Sequence, residues 1–388
     1  MSSARIAVSA VFAMHGLASG MWVSRIPAVQ EDLRLGVAGL GLALLGGGVG
    51  SMLAMLPMGA LIGRVGSRRV SLVAGLGGAI AFALLSLAND GLTLFGALVV
   101  WGAALGTLDV AMNAQGSAIE QGRGRPIMSS LHGLWSVGSM SGAAIGAVLA
   151  GLGTAPRTQF LATAPVVATT IVLAVRWFIA DRDQTERRPF VWPRGGLMLL
   201  AAVVFCAVAV EGAMFDWSGV YVRRVLDASE AMAATAPTFF AAAMAAGRLV
   251  GDQVTARLGA AFVARCSAVL AAVGLSGVVL APGPYVVFGA VVVVGLGLAV
   301  LVPLAFSVAG RNASMSTGTA IAAVATMGYS AFLLAPPTIG LVGEWLTLRG
   351  SFLLLLVLML GIGVVAPVGV GRPAVSGQPS TRLISRKT

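Results

Sequence analysis

The sequence predicts an all-α integral membrane protein with twelve transmembrane helices arranged as two six-helix pseudo-repeats. Three observations carry that prediction. The first is composition: of 388 residues, 58% are hydrophobic and 10% charged, with mean hydropathy +0.95, whereas soluble domains carry about 25% charged residues. The second is periodic length, because apolar stretches of about 18 to 25 residues recur along the whole chain, enough for a helix to cross roughly 30 Å of hydrocarbon. The third is a polar break, DRDQTERRPFVWPRGG (Asp181 to Gly196), near the middle of the chain.

Splitting the apolar runs at charged or Gly/Pro-rich breaks places helix starts near residues 6, 37, 70, 91, 126 and 158, then 196, 230, 260, 284, 316 and 350. The first run follows Arg5 and imitates a signal peptide, but it continues through Trp22 and many spans follow, so it reads as an uncleaved first helix. The polar break is the linker, giving a first half over 1–180, a linker over 181–195, a second half over 196–371 and a basic tail over 372–388. With a cytoplasmic N-terminus, about 19 of the 25 Lys and Arg fall on the cytoplasmic side, which predicts cytoplasmic termini in a multi-pass inner-membrane protein.

The formal charge of +11 comes from Arg residues in short loops, not from one basic stripe with stacking aromatics, so no nucleic-acid partner is expected. Cys206 and Cys266 both fall inside spans and read as packing residues, with no disulfide, no metal site and no cofactor expected. GGGVGSM at 46–52 lacks the Lys-Ser/Thr ending and preceding strand of a phosphate loop. No HExxH, GxSxG or nucleotide fingerprint occurs, so the chain does not read as an enzyme, and any energy source is not a bound ATP.

A repeat appears after the second and eighth helices, GALIGRVGSRR (Gly59 to Arg69) and GRLVGDQVTARLG (Gly247 to Gly259), with first glycines 188 residues apart. The first copy resembles the signature Gly-x-Leu-Ala-Asp-Arg-x-Gly-Arg-Arg of the major facilitator superfamily of secondary transporters. Gly59, Leu61, Arg64, Gly66, Arg68 and Arg69 match it, while Gly63 replaces the usual Asp; the second copy carries Asp252 and Arg257. TLDVAMNAQG, PIMSSLHGLWSVG and EGAMFDWSGV look like a bacterial branch related to the fucose-permease-like group. The resemblance implies the major facilitator fold, a cytoplasmic gate at Gly59, Arg64, Gly66, Arg68, Arg69, Gly247, Asp252 and Arg257, and a cavity lined by helices 1, 4, 7 and 10. The missing carboxylate at Gly63 argues against a strong charge-based latch in the first copy.

An ionised side chain at bilayer depth costs about 2.5 to 3.5 kcal/mol, so each such residue needs a cavity or a partner. His15, Asp109, His132 and Glu211 qualify, and Asp109, Asn113 and Glu120 share one face of their helix within about 40°. His15, Ser19 and Trp22 likewise share a face, and His132 is expected to meet Asp109 at similar depth. Proton coupling is therefore assigned to Asp109, Glu211 and His132, and solute binding to His15, Ser19, Trp22, Asn113, Gln115 and Trp135. Asp216 and Arg223, nearer the boundary, read as solvated or salt-bridged. Gly138, Gly142 and Gly146 form a ridge for close helix packing.

Together these point to a monomeric secondary transporter in a lipid bilayer, moving a small polar solute by alternating access. Proton symport of a sugar or related metabolite leads. Proton-antiport export of drugs or metabolites is the alternative, weakened because the fifth helix, GSMSGAAIGAVLAG, lacks the exporters' proline; a non-transporting receptor is remote.

Overall fold

The structure is a computed structural model and describes residues 2–123, 127–179, 192–310 and 317–371. All secondary structure in these residues is helical. The helices are α1 (Ser2–Val23), the short α2 (Ile26–Asp32), α3 (Val37–Val65), α4 (Ser67–Leu84), α5 (Gly91–Arg123), α6 (Met128–Gly151) and α7 (Pro156–Val175). After the linker, whose residues 181–191 lie outside the description, come α8 (Gly196–Val225), α9 (Glu230–Leu258), α10 (Ala260–Leu280), α11 (Pro284–Leu298), α12 (Leu301–Gly310), α13 (Thr317–Tyr329), α14 (Ala331–Trp345) and α15 (Leu348–Gly371). The tail 372–388 is likewise outside it.

Eleven described helices are long and apolar enough to cross a membrane, and Leu348–Val364 adds a shorter one. Two crossings are broken. Between α11 and α12 the cause is Pro303, which has no N–H to give the Ala299 carbonyl one turn back. Between α13 and α14, the Ser330 hydroxyl donates to the Met327 carbonyl at 2.6 Å and turns the chain. Exposed Trp177 and Trp192 mark the end of the bundle where the linker lies, and exposed Tyr285 and Trp345 mark the other, as amphipathic rings do at two lipid–water boundaries.

The pseudo-repeat is real, but its register is not the one the glycine match suggests. Helices α3 and α9 start at Val37 and Glu230, α4 and α10 at Ser67 and Ala260, and α5 and α11 at Gly91 and Pro284, each pair 193 residues apart. The same spacing joins Gly66 (φ 85°) and Gly259 (φ 82°), each the single residue between two helices. A side chain rarely adopts that backbone, so glycine is required at both turns. Arg64 thus corresponds to Arg257, whereas Gly59 corresponds to Asp252 and not to Gly247.

Helices α1 and α6 lie against each other through glycines on both. A Cβ on Gly16 or Gly20 would run into the Trp135 or Ser139 carbonyl, and one on Gly138 or Gly142 into the Ala13 or Leu17 carbonyl. This close approach is what the Gly138–Gly142–Gly146 spacing predicts, since packing between helices in lipid depends on small residues. The two halves meet mainly through α3 against α14 and α6 against α9. Gly41 faces the backbone of Pro336 and Gly340, Gly48 that of Phe332, and Gly151 lies over Ala231.

Candidate functional site

The end of the bundle away from the linker is closed by ion pairs that cross between the halves. Arg25, 1% exposed in the turn after α1, contacts Glu230 at the start of α9 at 3.1 Å and donates to the Thr154 carbonyl. Burial lowers its pKa, and Glu230 and Asp32 oppose that, but a guanidinium stays charged at any ordinary pH. Arg223 of α8 donates two hydrogen bonds to Glu31 of α2, at 2.6 and 3.2 Å, which bears out a salt-bridged role, whereas Asp216 of the same helix is half-buried and takes part in no ion pair among the described residues. Its neighbour Arg224 reaches Gln30 at 3.4 Å, and the Ala38 N–H donates to Glu344 of α14 at 3.3 Å. Separating the halves here strands a buried cation, which typically costs about 3 to 5 kcal/mol.

At mid-depth the polar residues sort into two groups. His15 on α1 is held at both ring nitrogens: Nδ1 lies 2.8 Å from Trp135 Nε1 of α6, and Nε2 lies 3.3 Å from the Leu105 carbonyl of α5. An indole N–H only donates, so Nδ1 accepts and the proton sits on Nε2, giving a neutral ring that ties three helices together. His15 and Trp135, both expected to meet solute, are thus hydrogen-bonded to each other. The Ser19 hydroxyl donates to the His15 carbonyl at 3.0 Å.

Three further polar or aromatic side chains, two of them expected to meet solute, are engaged by their own surroundings. Gln115, fully buried, donates to Ser67 Oγ at 2.7 Å and the Ile179 carbonyl at 2.8 Å, and accepts from the Ile179 N–H at 3.1 Å. It fastens the ends of α4 and α7 to α5. Trp22, 4% exposed, packs among Trp101 and Phe160, with Phe82 against both. Its face of α1 turns into the first half and not toward the second. Glu120 accepts from the Ile127 and Met128 N–H groups at 2.6 and 3.1 Å, because the first turn of α6 has donors that no helical carbonyl can meet.

The second group faces the space between the halves. Asp109, half-buried on α5, accepts from the Asn113 amide at 3.2 Å, and the same amide donates to the Asp109 backbone carbonyl at 2.8 Å. Opposite, Glu211 of α8 pairs with Arg248 of α9 at 3.1 Å, and Arg248 extends to Ser136 Oγ of α6 at 3.4 Å. That contact joins the halves at greater depth than the ion pairs of the closed end. His132 is exposed and stands edge-on to Phe12, ring centroids 5.3 Å apart. It makes no hydrogen bond with Asp109; both lie within through-space electrostatic reach, as do Asp109, Glu211 and Arg248 about Tyr329.

Arg248 and Tyr329 are polar residues of this central group that sequence reasoning did not single out. The signal for Arg248 was present, an arginine within an apolar run, but the Gly-x-Leu match drew it into the gate repeat. At the linker end Arg64, Arg68, Arg69 and Arg257 are exposed, and none takes part in an ion pair among the described residues. The surroundings of Gly59 and the side chain of Asp252 lie outside the described residues; Gly247 packs on Ala299 of the same half.

Twelve crossings in two repeats, closed by ion pairs at one end around a polar centre, define a membrane transporter. The chain belongs to the major facilitator superfamily, whose family model matches residues 8–336. It is 33% identical over 365 residues to an uncharacterized MFS-type transporter of Yersinia pestis, covering 94% of this chain and 95% of that one. It is 35% identical to the uncharacterized transporter y4wD of Sinorhizobium fredii (93% and 97% covered) and 30% identical to the membrane protein MosC of Rhizobium meliloti (96% and 91%). Among solved structures it resembles the nucleoside transporter NupG (D323A mutant), with TM-score 0.79, 11% identity and 95% and 100% of the chains covered. An inward-facing, unoccupied bacterial homolog of the human lysosomal transporter Spinster gives 0.74 at 13% identity, with 95% and 97% covered.

Proposed function

We propose that the protein is a proton-coupled symporter for a small polar solute, a sugar or related metabolite. The halves 1–180 and 196–371 rock about the centre formed by Asp109, Asn113, Glu211, Arg248 and Tyr329, in the inner membrane with both termini cytoplasmic. The observation that carries this reading is the Asp109–Asn113 pair, a carboxyl at membrane depth whose recorded hydrogen-bond partner is a neutral amide. Such a carboxyl has two accessible states, neutral when dry and ionised when water or a cation approaches. Arg25–Glu230 and Arg223–Glu31 hold the halves together at the end away from the linker, the outer end in this orientation.

Asn113, Tyr329 and the carboxylates supply donors and acceptors for hydroxyl-rich solutes, and α6 has no proline of the exporter kind. Counterflow uptake into proteoliposomes, with a panel of radiolabelled sugars, polyols, small acids and lipophilic dyes, tests the reading. Exchange of a small polar solute is expected. Movement of dyes alone replaces symport with export, and no exchange of any solute removes the transport reading.

A further inference from the structure

Arg25, in the turn between α1 and α2, is the one charged side chain among the described residues that is fully buried. Its Nη2 makes both of its contacts, with the Thr154 carbonyl and with Glu230 at 3.1 Å, while Nε and Nη1 are buried with no hydrogen-bond partner among the described residues. The two contacts differ in kind. Thr154 precedes α7 and belongs, like Arg25, to the first half, whereas Glu230 opens α9 of the second. The Glu230 oxygen faces Nη2 as charge against charge, without the alignment of a hydrogen bond. A buried cation of one half is thus balanced by a loosely held charge of the other.

We propose that Arg25 is the seat of an anion site: when the halves part at the outer end, a small monovalent anion of chloride size takes the place of the Glu230 carboxylate, held by Nη2 and by the donors that have no partner here. The inference rests on the transport reading and goes beyond it by assigning an ion, other than the coupling proton, to the outward-open state. Parting the halves carries Glu230 away with α9 and leaves Thr154 behind. A neutral carbonyl does not offset a cation. The guanidinium keeps its charge at any ordinary pH and presents five donors in a fixed fork, so it takes an anion without exchanging a proton. One carboxylate leaves, so one negative charge replaces it. An anion that binds the parted arrangement better than the joined one favours parting by that difference in affinity.

The charged neighbours allow this assignment. Glu31 and Asp32 are the carboxylates that travel with Arg25, but both lie on α2, six and seven residues on and so roughly 9 Å or more along that helix, while the guanidinium is fixed to Thr154. Glu31 is held by Arg223. Asp32 acts on Arg25 through space, is exposed, and takes part in no ion pair among the described residues. Arg34 after α2 and Arg157 in the first turn of α7 are exposed at the same end and add positive charge to the first half.

The test needs no solute. Cys206 and Cys266 are replaced by serine, and spin-labelled cysteines are placed at Leu87 and Leu280, exposed positions of the outer end, one in each half. Their distance is measured in lipid nanodiscs at one pH and one ionic strength, in sodium chloride, acetate or gluconate. Chloride is expected to lengthen the wild-type distance relative to gluconate, and Arg25→Gln to give one distance in both. Glu230→Gln keeps the size and removes the competing carboxylate. Chloride, followed by the broadening of its NMR line, should bind this variant at a concentration lower by about fivefold or more, while the distance grows indifferent to it because both arrangements accept the ion. Arg223→Gln breaks the other ion pair and is the control that keeps the chloride response. Lengthening by acetate and not by chloride would make the occupant a carboxylate and overturn the halide assignment. Equal distances in all three salts, as when Glu31 or Asp32 swings to Arg25 instead, or a wild-type response in Arg25→Gln, would overturn the site itself. Should Arg25→Gln not fold, Glu230→Gln decides, since chloride binding no tighter than in wild type overturns the site as well. Absence of solute counterflow in chloride medium would instead strike the transport reading and leave the chloride titration standing.

Discussion

Asp109 and Gln115 lie six residues apart on the same helix, yet the structure gives them opposite kinds of work. Asp109 faces the gap between the halves, and its carboxyl retains acceptor capacity after the Asn113 amide is counted. Asp109→Asn keeps the size and most of the hydrogen bonding but removes the titration. The variant is expected to fold and exchange solute in counterflow while losing accumulation driven by a pH gradient; full accumulation in the variant would move the coupling role to Glu211. Gln115 faces inward and joins three helices. Gln115→Ala leaves the Ile179 N–H and carbonyl and the Ser67 hydroxyl without that amide, at about 1 to 3 kcal/mol per group left buried without a partner. A clear fall in thermal stability in detergent, with unchanged solute affinity, is the expected result, and a selective loss of affinity would restore Gln115 to the binding site. Sequence alone showed that both residues were out of place in lipid. It did not show which way either points, because a polar side chain in a span is satisfied equally well by a neighbouring helix or by a cavity.

At the scale of the element, glycine placement determines how α1 and α6 meet. Their carbonyls come close enough at Gly20 and Gly142 that a side chain cannot be added without moving a helix backbone. Gly142→Val is expected to lower stability by about 1 to 3 kcal/mol through overpacking and to pull Trp135 away from His15. A thermal-shift measurement and the protein's tryptophan fluorescence check the two parts, and a variant as stable as wild type would show that α1 and α6 separate freely. The glycine ridge was legible as a four-residue spacing. The repeat was legible as well, though five residues out of register, because Gly247 copies the chemistry of Gly59 while the shared physical constraint is the positive φ at Gly66 and Gly259. A motif records residue types; a turn imposes a backbone angle, and only the angle is common to both copies.

For the whole molecule, the ion pairs at one end and the exposed arginines at the other give the bundle two unlike faces. The orientation argued from arginine placement predicts that cysteines introduced at Thr185 in the linker and Gln378 in the tail are protected from an impermeant maleimide in intact cells and react after permeabilisation. Labelling of intact cells would invert the topology and with it the side of the membrane on which the ion pairs lie. The membrane character, the number and starts of the crossings and their division into two sets followed from the sequence alone, because hydrocarbon demands long apolar helices whatever their neighbours are. Tertiary structure alone decided that Arg25 and Glu230 close one end, that His15 spends both nitrogens on the first half, that Trp22 turns away from the gap, and that Arg248 stands between Glu211 and the opposite half. Those are relations between residues tens to hundreds of positions apart, and the helix period fixes which residues share a face but not which face meets another helix.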